Sequence, residues 1–230
     1  MLNIENNILA PKLGEGIYFT KDIATILDLD YQLVKRWIVG YWDEHFKSTF
    51  GEKKSRAINF YSLIEFYTFY KLREKGVSPQ ELRKAHQVIS AELNTKYPFA
   101  VADAFNFEKR KYKNFIWYGV NDTEHDTTNI IKADGKGQIS LSFIQHFLER
   151  IEYDKNNLAQ RFFPLENTKN IVVDPKRQFG QPIIYGTNIK TQTLYHLHLG
   201  GETNEDICNL YNLTNDKVQD AINFHLKTAA

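Results

Sequence analysis

Residues 18–38, YFTKDIATILDLDYQLVKRWI, decide the fold of the N-terminal part of the chain. Thr20 is a suitable N-cap for a short helix whose apolar side falls within residues 23–27. The segment 28–30 interrupts that helix, and Asp30 is placed to cap a second one. Two short helices joined by a tight turn are typical of a helix-turn-helix unit.

The second helix is predicted to pack inward through Val34, Trp37 and Ile38, which recur at spacings of three and four. In DNA-binding helix-turn-helix units the second helix enters the major groove, where its long polar side chains reach base edges. The candidate DNA-reading residues lie on the outer face of this helix: Tyr31, Gln32, Lys35 and Arg36.

Residues 41–60 predict a hairpin wing beside the two helices, because Gly51 and a basic run precede the apolar Ile58 and Phe60. The basic tip carries no adjacent base-reading side chain, so we expect it to contact phosphate alone. The candidate phosphate-binding residues are Lys53, Lys54 and Arg56.

A long helix is predicted from about residue 61 to 75, ending at Gly76. Ser78 and Glu81 then form a capping box with proline at the first helical position, which predicts another helix.

The order of these parts resembles the MerR-type winged helix fold over about residues 17–93. The strings that carry it are KRW at 35–37, RAINF at 56–60 and LREKGVSPQEL at 72–82. The resemblance implies a DNA-binding domain. MerR-type regulators usually add a long coiled coil and an effector domain, and this chain lacks a sustained heptad repeat. The alternative is a plain helical bundle with aromatic packing.

The formal net charge of +1 gives no sign of a nucleic-acid partner for the chain as a whole. One stretch of the sequence is nevertheless basic. Residues 41–116 hold fourteen Lys or Arg against nine Asp or Glu, and residues 117–160 hold four against seven. A basic stretch near a helix-turn-helix favours DNA binding, although a solvated charged surface gives the same bias.

The middle of the chain, residues 99–168, is predicted to be a connector that contains strands. Alternating aromatic residues predict a strand over 105–120, and residues 134–137 predict a turn. A helix is expected over 140–150 and a hairpin over 151–163. The polar loop at 121–126 holds possible metal ligands. A metal site needs ligands that converge on one point, which a polar loop rarely provides, so no metal site is expected there.

From Ile171 onward, short strands are predicted at 171–173 and 183–185, around a turn that begins at Asp174. Thr203 and Thr214 are suitable helix caps. Three helices are expected, at about 191–199, 204–210 and 215–226.

Residues 170–226 resemble the domain-of-unknown-function family numbered four hundred and thirty-three, through FGQPIIYGTNI at 179–189 and GGETNEDICNLYNLTNDKVQDAINF at 200–224. The whole chain resembles VapB-type antitoxins, which join a helix-turn-helix to this module. That resemblance implies a toxin partner with a PIN-like ribonuclease domain. The family commonly has Arg where this chain has Asn188, so the contact made by that Arg is in doubt here.

The implied toxin has a cluster of carboxylates that holds a divalent metal, and a basic side chain can block such a site. The guanidinium of Arg offers two donors in a fixed geometry to carboxylates, so Arg177 is the first choice, although a solvated turn residue is the alternative. The candidate toxin-binding residues are Lys176, Arg177 and Lys190.

An enzyme, a cofactor and a metal site are not expected, because no P-loop, GxSxG, HExxH or paired-cysteine motif occurs. The single cysteine, Cys208, fits a reducing compartment and is expected to be packed. No apolar run approaches a membrane span and no secretory signal is recognised, so a cytoplasmic protein is expected.

The sequence thus predicts a mainly α protein with small β elements (α+β class), with domains at 1–98, 99–168 and 169–230. The expected function is a DNA-binding antitoxin that represses its own operon; the alternative is a stand-alone regulator whose C-terminal module oligomerises. A homodimer is expected because helix-turn-helix proteins read two half-sites. The predicted seam is Leu194, Leu197, Leu199, Ile207, Tyr211, Ile222 and Phe224.

Overall fold

Contacts divide the chain into two compact units, Met1–Leu63 with Arg161–Ala230, and Ile64–Gln160. Helices and small antiparallel sheets make up both, which confirms the predicted α+β class. The domain boundaries at 98/99 and 168/169 remain a prediction. The computed structural model describes residues 12, 14–52, 55–105, 117–122, 127–132, 138–140 and 146–227.

The two short helices predicted at the N-terminus are present as α1 Thr20–Leu27 and α2 Tyr31–Trp37. The predicted N-cap of α1 was wrong by one residue, because the cap is Phe19 and Thr20 is already helical. Phe19 ends strand β1 Tyr18–Phe19, and its amide donates a hydrogen bond of 2.9 Å to the Asp22 carboxylate.

The predicted wing is shorter than expected, since residues Ile38–Asp43 form a π-helix that continues from α2. Only β2 Thr49–Phe50 and β3 Ala57–Ile58 form the hairpin. Strand β3 is the centre of an antiparallel sheet of order β1-β3-β2, in which Tyr18 lies opposite Ile58.

Helices α3 Phe60–Glu74 and α4 Pro79–Glu92 follow as predicted. Gly76 lies between them in the left-handed region, with a φ of 79°. The predicted capping box is confirmed: the Glu81 amide donates to the Ser78 hydroxyl at 3.2 Å, and the Ser78 amide donates to the Glu81 carboxylate at 2.6 Å.

Within the second unit, a buried carboxylate ties α3 to α4. Glu65 is 1% exposed, and one of its oxygens lies 3.0 Å from Nε2 of His86. The same oxygen accepts a hydrogen bond from the Phe99 amide at 3.3 Å. Burial raises the pKa of Glu65.

The connector contains a three-stranded antiparallel meander, β4 Trp117–Asp122, β5 Thr127–Lys132 and β6 Gln138–Ser140. The strand predicted over 105–120 agrees with β4 at residues 117–120, whereas Phe105 ends the 3-10 helix Ala102–Phe105. Residues 106–116 of this prediction lie outside the described residues. The turn predicted at 134–137 lies outside the described residues.

A hairpin follows, as predicted over 151–163, and pairs β7 Ile151–Tyr153 with β8 Ala159–Phe162. Its turn contains Asn157 at a φ of 60°. Of the helix predicted over 140–150, residues 146–148 are helical, whereas Ser140 belongs to β6. Residues 141–145 lie outside the described residues.

The C-terminal part of the first unit pairs β9 Ile171–Val172 with β10 Ile183–Ile184 and then forms α5 Thr191–Leu199, α6 Asn204–Tyr211 and α7 Asn215–Leu226. These elements match the predicted strands and helices. Their core consists of Ile184, Leu194, Ile207, Val218, Ala221 and Ile222.

The residues of this core include several that were predicted to form the contact between two copies of the chain, and they are not available for that contact. Leu194, Ile207 and Ile222 are at most 1% exposed, because the three helices cover one another within a single chain. Phe224 is also buried, whereas Leu199 is 62% exposed. The prediction that all seven residues are uncovered was wrong for these four buried residues, since periodicity shows which residues share a face but not what covers that face.

The two sequence-distant parts of the first unit meet around Tyr18, which is completely buried. The Ile17 amide donates to the Phe179 carbonyl at 3.3 Å. Gly180 has a φ of 84°, and a Cβ there would overlap the Tyr18 hydroxyl. The FGQP string therefore needs glycine at this position for two reasons. Its backbone is left-handed, and the Tyr18 hydroxyl occupies the space that a Cβ would need.

We expect Gly180→Ala to destabilise the protein more than Gly186→Ala. Both glycines have a left-handed φ, so each substitution costs roughly 1–2 kcal/mol of strain. A Cβ on Gly186 meets nothing within 4 Å, whereas one on Gly180 also displaces Tyr18. Urea unfolding of the full chain measures both, and an equal destabilisation would contradict the role of Tyr18.

Candidate nucleic-acid interface

The outer face of α2 is presented to solvent as the sequence predicted. Gln32, Lys35 and Arg36 are exposed, and Tyr31 is 46% exposed. Val34 is fully buried on the opposite side. The structure thus brings four polar or aromatic side chains together on one short helix.

The turn before α2 fixes the position of that helix. Asp28 adopts a left-handed conformation with a φ of 54°, and the Leu29 amide donates to the Ala24 carbonyl at 2.9 Å. The Asp30 carboxylate then accepts a hydrogen bond of 2.8 Å from the Leu33 amide, which confirms the predicted cap. Local hydrogen bonds therefore set where the outer face of α2 begins.

Arg56 of the wing has a partner within the chain, which the sequence did not predict. Arg56 forms a salt bridge with Asp43, whose other carboxylate oxygen accepts from the Thr49 hydroxyl at 2.7 Å. The guanidinium of Arg56 is therefore engaged at the base of the hairpin. Lys53 and Lys54 lie outside the described residues.

The turn after β9 is organised by Asp174, which is 5% exposed. Its carboxylate accepts from the Lys176 amide at 2.9 Å and from Nε of Arg161 at 3.1 Å. Nε of Arg177 lies 3.8 Å from the same carboxylate. Lys176 and Arg177 remain exposed, so the turn holds two cations at the surface.

Phe179 is a surface feature that the sequence analysis missed. It is 73% exposed with a φ of 56°, and the preceding Gln178 has a φ of 47°. Two consecutive left-handed residues other than glycine are uncommon and strained. The sequence did not predict this exposure, because no local pattern separates an exposed phenylalanine from a buried one.

Lys190 lies in a different environment from the other two predicted toxin-binding residues. It lines a cavity of about 130 Å³, to which neither Lys176 nor Arg177 contributes. The cavity is bounded on one side by α1 and on the other by the C-terminal elements. Its polar lining includes Lys21, Thr25, Gln181, Lys190, Gln192 and His225. Asn188, in place of the usual Arg, is exposed.

His225 is the titratable group most affected by this environment. Burial is the main cause that lowers its pKa to about 4, and the charges of His196 and Lys21 add to the effect. Its Nε2 lies 3.0 Å from the Thr191 hydroxyl, and its ring stacks on Tyr195 with centroids 5.1 Å apart. At neutral pH His225 is therefore uncharged.

We expect the free energy of unfolding to decrease as the pH falls from about 6.5 toward about 4. Over that range the unfolded chain protonates His225 at the ordinary value of 6.5, whereas the folded chain leaves it neutral until about 4. Urea midpoints across this range measure the effect. His225→Gln should show a smaller decrease, and an identical pH dependence would contradict the assignment.

No group of three or more His, Cys, Asp or Glu that could hold a metal ion occurs among the described residues. Cys208 is half-buried and packs against the core of α5–α7. None of the helices in the described ranges combines the length and apolar composition needed to cross a bilayer.

These features define a helical α+β protein with an exposed second helix and an attached C-terminal module. Residues 171–225 match the family described as "Protein of unknown function (DUF433)". The chain is 37% identical over 227 residues to the uncharacterized protein Rv2308 of Mycobacterium tuberculosis, covering 94% of this chain and 92% of the relative. The chain belongs to the same family as Rv2308.

A second mycobacterial relative is named as a proposed antitoxin, VapB45, and is 29% identical over 80 residues. That match spans 34% of this chain and 34% of VapB45. The similarity connects part of the chain to an antitoxin-like protein.

A solved structure shares the fold at a TM-score of 0.65 and 18% identity. It is the X-ray crystal structure of Rv2018 from Mycobacterium tuberculosis, and the match covers 89% of this chain and 96% of that one. At this identity the similarity extends to the fold alone.

Proposed function

We propose that this protein is a DNA-binding antitoxin that represses its own operon and neutralises a PIN-like nuclease. The observation that carries the proposal is that the exposed face of α2 and the DUF433 segment belong to one compact unit. The similarity to VapB45 supports the antitoxin part of the proposal. The winged helix-turn-helix geometry supports the DNA-binding part.

In this proposal α2 enters the major groove of the operator. Gln32, Lys35 and Arg36 reach base edges, and Tyr31 lies at the start of the helix. Lys53, Lys54 and Arg56 of the wing act on phosphate, with Arg56 also held by Asp43. A dimer supplies two such helices, and the exposed Leu199 is a candidate contact between copies.

We expect the double variant Lys35→Ala, Arg36→Ala to bind the operator more weakly, by about 1–3 kcal/mol for each base that these side chains read. The probe is duplex DNA from the region upstream of the protein's own gene, and fluorescence anisotropy measures the affinity. Lys155→Ala is the matched control, because Lys155 is an exposed lysine of the β7–β8 turn.

Both proteins should have the same circular dichroism spectrum, since the side chains of Lys35 and Arg36 are exposed. Operator affinity that is unchanged in the double variant would exclude α2 as the reader. An equally weakened affinity in the Lys155→Ala control would instead indicate a general effect of charge.

The toxin-binding surface in this proposal is the turn that presents Lys176 and Arg177. The Asp174 carboxylate fixes the backbone of this turn through the Lys176 amide, and it pairs with the Arg177 guanidinium, which is therefore positioned before a partner arrives. A guanidinium can bind a carboxylate of the nuclease through two hydrogen bonds. Lys190 lies apart from this turn, in the separate cavity described above.

We expect Arg177→Ala to neutralise the nuclease encoded beside this gene less well than the wild type. Co-expression and growth measure neutralisation with the full chain, and Lys155→Ala is the control. Full rescue by Arg177→Ala would exclude this residue. If the neighbouring product does not bind the wild-type chain at all, the stand-alone DNA-binding regulator becomes the better assignment.

A further inference from the structure

Two lysines that are 169 positions apart in sequence line the same cavity of about 130 Å³. Lys21 comes from the first turn of α1, and Lys190 directly precedes α5. Neither ammonium group forms an ion pair or a hydrogen bond with any side chain in the part of the chain that the structure describes. Their positive charges are therefore not neutralised by an ion pair within these residues.

The rest of the lining offers hydrogen-bonding groups around these charges. Gln181 and Gln192 contribute amides, and Thr25 contributes a hydroxyl. Thr191 is fully buried at the wall, where its hydroxyl contacts the Pro182 carbonyl and His225. The cavity is several times larger than the space that one water molecule needs. It can therefore admit a small polar group.

The acidic side chain at this cavity, Asp22, is already engaged. Its carboxylate accepts from the Phe19 amide at 2.9 Å, which holds it at the start of α1. Burial raises the pKa of Asp22, and the neighbouring Lys21 lowers it only as a smaller effect. With Lys21 and Lys190 positive, Asp22 negative and His225 neutral, the cavity carries a net positive charge.

We propose that this cavity binds a phosphate group, held between Lys21 and Lys190. Phosphate has oxygen acceptors on every side, so it can receive hydrogen bonds from two ammonium groups and the flanking amides together. Its source is either the DNA backbone or a free phosphate-bearing ligand, and the two are separated below. The alternative in which the DNA backbone supplies the phosphate group rests on the proposed DNA-binding function.

The position of the cavity connects it to the DNA-reading helix. A second, wider cavity of about 610 Å³ shares Lys21, Thr25 and His225 with the first and extends to Asp30 and Tyr31. These two residues cap and begin α2. A bound phosphate group therefore lies in a groove that runs along α1 toward the start of α2, and binding there can affect how α2 meets DNA.

The first arm of the test titrates inorganic phosphate into the full chain and follows the His225 ring protons by NMR. We expect a saturable shift of this resonance that sodium chloride at matched ionic strength does not reproduce. Lys190→Gln should weaken phosphate binding at least tenfold, whereas Lys155→Gln should leave it unchanged. Circular dichroism and the urea midpoint show that Lys190→Gln is folded.

The second arm measures the salt dependence of binding to the upstream duplex DNA. If the DNA backbone supplies the phosphate, Lys190→Gln should lower the log–log slope by about one unit, with no change of sequence preference. An unchanged slope together with saturable phosphate binding assigns the cavity to a free phosphate-bearing ligand. Either result supports the proposal.

The proposal is overturned if phosphate gives no saturable shift in the wild-type chain and Lys190→Gln does not alter the salt slope. It is also overturned if Lys155→Gln reduces phosphate binding as much as Lys190→Gln does. If the wild-type chain binds no DNA, the proposed function fails while the phosphate titration still decides the cavity.

Discussion

The interaction on which the first unit depends is that of the Tyr18 ring with Gly180. Tyr18 is completely buried, and burial together with the nearby Asp174 raises the pKa of its hydroxyl, so the phenol stays neutral. The hydroxyl has no hydrogen-bond partner among the described residues, which costs free energy. Burial of the aromatic ring offsets that cost. A side chain at Gly180 would exclude the tyrosine, so the strand before α1 and the DUF433 segment constrain each other.

This constraint places α2 and the C-terminal module in one compact unit. Any ligand that binds the folded form of that unit stabilises both parts of it, because binding and folding are thermodynamically linked. A ligand on the outer face of α2 and a ligand on the turn at Arg177 would each raise the free energy of unfolding of the whole unit.

Locally encoded features were predicted well from the sequence. The cap at Asp30, the capping box at Ser78 and Glu81 and the exposed face of α2 each depend on residues three or four apart. The wing was predicted less well, because the chain continues after α2 as a π-helix in which Trp42 is fully buried. Local propensity does not describe that tertiary packing.

By itself, the sequence determined the type and order of the helices at both ends of the chain and the starts of α2 and α4, since caps, glycines and apolar spacing act over a few residues. Only the tertiary structure decided which surfaces are covered. It buried Leu194, Ile207 and Ile222 within one chain, and it left Phe179 exposed. It also brought Lys21 to Lys190 and Tyr18 to Gly180. Such pairs are far apart along the chain, and the periodicity of a single sequence shows which residues share a face but not which faces meet.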